Sequence, residues 1–139
     1  MITKDAFSTL CGDHPAFGQV NEKLKELIRD ELEPKDEIQY AQTVKVSSAD
    51  GLVCMTKDNV YGFWTQKMFV FFKFPAYQTF HLNQVRKVES SGASVYLRAQ
   101  TEDGDDDEDF EENKFLFTDE SKAQEFADLV RQHSTSGSV

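Results

Sequence analysis

Apolar and polar positions along this chain change period twice. Over residues 14–33, Val20, Leu24, Leu27, Ile28 and Leu32 recur at three- and four-residue spacing, which predicts one amphipathic helix. Pro15 suits its first turn, Asp13 or His14 its cap, and Pro34 stops it. Residues 1–13, with Phe7 and Leu10, predict no more than a short helical turn. From residue 37 the period drops to two. Ile38, Tyr40, Val44 and Val46 alternate with polar neighbours, then strands are expected over 52–56, 60–65 and 68–74. Residues 77–82 and 85–89 read as two short strands or one bent strand, and 95–99 and 114–118 as two more. Turns fall at 47–51, 57–59 and 90–92, and Pro75 breaks the strand before it. The helical period then returns in Ala123, Phe126, Ala127, Leu129 and Val130, behind Asp119 or Ser121 as cap.

Short antiparallel strands leave open edges, and a helix that plugs one end of a barrel relieves that liability. The expected fold is therefore α+β and mainly β. It is a partly open antiparallel β-barrel of about seven strands, capped by a C-terminal helix and preceded by an amphipathic one. The expected organisation is a helical extension over residues 1–35 packed on the barrel, a barrel domain over 36–133, and a flexible tail over 134–139.

Composition adds the material for one core. The chain has 139 residues, 39% hydrophobic and 29% charged, with twelve Phe. The net charge of −10 is local: residues 102–112 (EDGDDDEDFEE) hold nine of the 25 acids and no base. The remaining 16 acids nearly balance the 15 bases. Bulk charge therefore attracts neither nucleic acid nor an anionic membrane. Cys11 and Cys54 are expected to be reduced, partly buried thiols. No apolar run approaches 18 residues, and the first 14 residues lack a signal-peptide centre, so a cytoplasmic location with no integral membrane segment is expected.

Several local patterns resemble the pleckstrin-homology-like superfold, in its bacterial PH and GRAM-like branch. Residues 51–61 (GLVCMTKDNVY) look like that family's second hairpin. Residues 80–88 (FHLNQVRKV) look like its following segment, and Phe115-Leu116-Phe117 with residues 122–126 (KAQEF) like its last strand and helix. Residues 23–38 resemble the helix and entry that precede its first strand. The likeness spans roughly residues 22–132 and implies a PH-like barrel. Asn59 stands where a basic residue is common in that family. The first hairpin loop, Val46 to Gly51, has only Lys45 nearby, whereas inositol phosphates need charge-assisted donors. Phosphoinositide binding is not supported.

Two segments carry candidate sites. In Met68-Phe69-Val70-Phe71-Phe72-Lys73-Phe74 both faces of the expected strand are apolar, although a barrel strand needs only one. Either the N-terminal helix covers the surplus face, or Trp64, Phe69 and Phe71 form a surface for a protein partner or a second copy. In the acidic segment, Asp103, Asp105, Asp106, Asp107 and Asp109 are candidate ligands for a divalent cation or a basic partner, or mimics of nucleic-acid phosphates. The EF-hand pattern fails there: counting from Asp103, Glu108 holds the sixth place and Lys114 the twelfth. The bland alternative is a solvated hairpin tip. No catalytic constellation, cofactor motif or metal spacing appears. His14, His81 and His133 are scattered, and Cys54 lies mid-strand without a base. A deep polar pocket lined by His81 would be the sign of an enzyme. The expectation is a non-catalytic binding or scaffolding module acting through its apolar surface, with the acidic segment as the alternative.

Overall fold

The computed structural model describes residues 1–69, 71–101 and 110–134. Three α-helices and seven strands run in the order α1 (Lys4–Asp13), α2 (Glu22–Glu31), β1 (Tyr40–Val46), β2 (Ala49–Met55), β3 (Asn59–Met68), β4 (Phe72–His81), β5 (Val85–Ser91), β6 (Ser94–Gln100), β7 (Phe110–Leu116) and α3 (Glu120–Ser134). All pairings are antiparallel. The strands form one sheet in the order β4-β3-β2-β1-β7-β6-β5, so β4 and β5 are its edges. The weak link is β1 to β7, paired only at Lys45–Leu116 and Val46–Phe115.

The N-terminal region departs from the expected single helix. Residues 1–13 supply a full helix, α1, whose cap is Thr3: its side chain accepts from the Ala6 amide. A 3-10 turn follows at Pro15–Gly18, and α2 begins afresh because Asn21 accepts from the Leu24 amide. His14 lies in extended backbone, and its Nε2 meets the Ile38 carbonyl at 3.2 Å. Asn21 is a better cap than Asp13 or His14, since its side chain reaches an orphan amide of the first turn.

The sheet is covered on both faces, and two cores result. Inside the curved sheet, Phe80, Phe115, Phe117 and Phe126 pack with Tyr40, Val53, Met55, Val60 and the small residues of α3. The Phe126 ring lies 5.2 Å from Phe117 and 6.1 Å from Phe115, centre to centre. Asp119 starts α3 by accepting from the Lys122 amide, and Arg131 donates to the Val88 carbonyl. Outside the sheet, Phe7, Phe17, Leu24, Ile28 and Leu32 cover Leu52, Cys54, Tyr61 and Phe63. Strand β2 is thus buried from both sides, which explains its unbroken apolar run. Gly62 lets the Phe115 ring in: a Cβ there would stand 2.9 Å from it.

The expected strand boundaries shift at three places. The first hairpin closes with only Ser47-Ser48, both at positive φ (52° and 69°), since Val46 already pairs Ala49. The expected last strand at 114–118 begins earlier, at Phe110. The expected strand at 68–74 does not exist. Met68 ends β3, Phe72 begins β4, and the two pair directly. Pro75 does not break β4 but sits within it, opposite Thr65, as an edge strand tolerates.

Candidate functional site

The pairing of Met68 with Phe72 places the aromatic cluster at the free end of the β3–β4 hairpin. Phe69 is 83% exposed and Phe71 90%, with Phe72 at 67%, Met68 at 54% and Phe74 at 40%. The expected helical cover is elsewhere: α1 and α2 bury their stripe on Leu52, Cys54, Tyr61 and Phe63, nearer the root of the hairpin. The hairpin is fastened at that root by Asn21 donating to Thr65 (3.0 Å) and by a hydrogen bond between Tyr77 and Glu31. That bond raises the Tyr77 phenol above its usual range. Phe69 holds φ at +63°, a left-handed conformation that an aromatic residue adopts only at a cost.

The hairpin is two-sided. Side chains directly across an antiparallel pair share a face, and so do residues two apart. Trp64 packs on the inner core, so Gln66 and Met68 follow it on that face, opposite Phe74 and Phe72. The other face carries Thr65 and Lys67, opposite Pro75 and Lys73. Trp64 is half-buried, and its Nε1 donates to Gln66 Oε1 at 2.9 Å. It therefore stands at the hairpin's root, whereas Phe69 and Phe71 stand at the tip. The structure puts the three expected partner-binding residues on one hairpin but not in one contact patch. Sequence reading missed Met68, Phe72 and Phe74 as members of the patch. The pairing of Met68 with Phe72, which brings them together, follows from the length of β3.

The chemistry of the remaining candidates is sparse. The acidic candidates Asp103, Asp105, Asp106, Asp107 and Asp109 lie outside the described residues. Among the described residues, no group of three or more His, Cys, Asp and Glu is placed to hold a metal ion. Cys54 is fully buried, and burial, with the Asp36 charge adding to it, pushes its thiol far above the ordinary range. A thiol so held is a poor nucleophile. Burial also raises Cys11, against a smaller opposing effect of Lys25. The cavity that would mark an enzyme has a partial counterpart. A polar depression of about 340 Å³ is lined by Lys57, Asn59, His81, Asn83, Gln84 and His133, among others. It is open to solvent, and His81 is exposed at its rim. The His81 Nδ1–H donates to Asn59 Oδ1 (2.7 Å), which orients the ring. Among the described residues, no Ser or Cys lines this depression.

The sheet order, the two covered faces and the C-terminal helix define a PH-like α+β fold. No protein-family model matches the chain, and no curated protein does. Solved structures do. The complex of the PDZ-RhoGEF DH/PH domains with activated RhoA is similar over 88% of this chain, with a TM-score of 0.55 at 11% identity. The DH/PH domains of p115-RhoGEF match 90% of it at 0.53 and 9% identity. An N-terminally truncated linker-DH/PH form of that protein matches 91% at 0.52 and 10% identity. The match takes in 36–38% of each of those chains. At such identities the likeness establishes the fold alone. Among the described residues, no helix is long and apolar enough to cross a membrane.

Proposed function

We propose that this chain is a non-catalytic binding module that docks through the tip of its β3–β4 hairpin. The observation that carries this reading is the exposure of Phe69, Phe71 and Phe72 together, each at least two-thirds open to solvent. Exposed apolar side chains scattered singly need no explanation, but a contiguous cluster does. The cluster is also held at a conformational cost, with Phe69 in the left-handed region. Strain maintained on an exposed, non-packing residue supports a role outside folding.

On this reading residues 1–35 are a cover for the outer sheet face and 36–133 the PH-like module; of the tail expected over 134–139, Ser134 ends α3 and the rest lies outside the described residues. The hairpin resemblance at residues 51–61 favours the bacterial PH or GRAM-like branch, and the chain works in the cytoplasm. The bare Ser47-Ser48 turn, with Lys45 already paired to Asp50 at 2.9 Å, leaves little to hold an inositol phosphate.

The test separates the hairpin from the acidic segment. One variant carries Phe69→Ser and Phe71→Ser; another has residues 102–112 cut back to Asp-Gly. Each is assayed for self-association, for sedimentation with phospholipid vesicles and for capture of proteins from native lysate. The reading expects every association shown by the full chain to vanish in the first variant and to persist in the second. The opposite pattern would transfer the function to the acidic segment.

A further inference from the structure

We infer that the occupant of the hairpin tip is a second copy of this chain, packed face to face through Met68, Phe72 and Phe74 with Phe69 and Phe71 at its border. This inference rests on the docking reading above and names its partner.

Area is the first argument. The exposed fractions of these five side chains amount to roughly 650 Å² when a large side chain is given about 200 Å². That exceeds the largest apolar patch of a typical monomer, about 300–600 Å². Two copies joined through it would bury up to roughly 1,300 Å², within the range of about 1,200–2,000 Å² for specific interfaces.

The second argument is the hairpin's two-sidedness. Met68, Phe72 and Phe74 share one face, while Lys67, Lys73 and Thr65 hold the other. A hairpin face on which Met68, Phe72 and Phe74 surround the one polar residue Gln66 suits packing against another sheet face, about 10 Å away. A twofold axis through that face makes the contact self-complementary, since each residue meets its own counterpart's neighbours. A membrane wedge would place the backbone groups of the turn in hydrocarbon, where they have no partners.

Charge is the third. Residues 59–88 contain no Asp or Glu, in a chain that has 25. Two copies therefore meet more readily along this acid-free stretch than through residues 102–112, which hold nine acids, and Lys67 and Lys73 lie on the far face of the hairpin. Pro75 and Lys73, both on the edge strand β4, also disfavour plain strand-to-strand pairing there, which leaves the face as the contact.

Sedimentation velocity of the full chain, from micromolar to several hundred micromolar, tests this. The expected result is a concentration-dependent shift to the mass of two chains. Phe72→Ser should weaken it at least tenfold, while Lys73→Glu, on the far face, should leave it within about twofold. Salt from 50 to 500 mM should strengthen it, because screening removes the repulsion between two acidic copies. A chain that stays monomeric at several hundred micromolar overturns the second-copy inference. If that monomer sediments with anionic vesicles, and Lys73→Glu or salt abolishes this, lipid is the occupant and the docking reading survives alone. A dimer that persists unchanged in Phe71→Ser/Phe72→Ser overturns both.

Discussion

Replacing Phe69 by Gly should leave the protein as stable as before, or slightly more so. For most Phe residues of this chain the same change would be ruinous, since removing a buried aromatic costs about 3–5 kcal/mol. Phe69 is 83% exposed, so the apolar burial lost is small, on the order of 0.5 kcal/mol. Its φ of +63° costs an L-residue about 1–2 kcal/mol, which Gly does not incur. Against that gain stands the greater backbone freedom of Gly in the unfolded chain, about 0.5–1 kcal/mol. The three effects nearly cancel, leaving a change between about −0.5 and +1 kcal/mol in favour of the variant. Urea unfolding followed by the fluorescence of the single Trp64, with an unchanged m-value, measures it. A loss above about 2 kcal/mol would refute the reasoning, because it would mean that the ring is packed against the body of the protein.

Phe126→Ala, by contrast, empties the centre of the inner core, where the ring is fully buried against Tyr40, Phe115 and Phe117. It should lose about 3–5 kcal/mol by the same urea measurement, a large share of a typical total. Tyr40 is buried, and among the described residues its hydroxyl has no hydrogen-bond partner. Tyr40→Phe should be neutral or stabilising by up to about 1 kcal/mol. Burial and then the Glu125 charge raise the Tyr40 phenol above its ordinary value. The native state thus holds that proton longer than the unfolded chain does. This stability is complete below the ordinary phenol range and is lost progressively as pH rises from that range toward the raised folded value. Thermal melts from pH 8 to 11 should show that fall, and Tyr40→Phe should lessen it. Some should remain, because Tyr61, Tyr77 and Tyr96 are shifted in the same direction. A thiol reagent at pH 8 should titrate Cys11 in the native protein and reach Cys54 only after denaturant is added. Fast reaction of both would contradict the burial of Cys54.

The mainly β scaffold with its terminal helices was legible because strand and helix periods differ so plainly. The α3 stripe and the alternation of Tyr40, Val44 and Val46 both reach the inner core. The split of the N-terminal helix was not legible from periodicity. Val20 fits the stripe, and only the Asn21 side chain bonded to the Leu24 amide shows where α2 starts. The Phe-rich segment misled for a related reason. A run of large apolar residues with no Gly or Asn reads as a strand, and nothing in Phe69 advertises positive φ. Its turn is imposed by the pairing of Met68 with Phe72, a consequence of how far β3 and β4 extend together. The expected stop at Pro75 failed because an edge strand has one side that donates to nothing. Sequence left the Phe-rich segment either covered by the N-terminal helix or open as a surface with Trp64, and the fold exposes Phe69 and Phe71 while seating Trp64 on the inner core.

The proposed docking requires the hairpin tip to be bare in the lone chain and covered in its complex. The most direct test places an environment-sensitive fluorophore on Phe71→Cys in a Cys11→Ser background, where buried Cys54 stays unlabelled. At nanomolar concentration the emission should be that of a dye in water, and it should shift to the blue as the protein approaches several hundred micromolar. A blue emission already present at nanomolar concentration, or a watery one throughout, would contradict it.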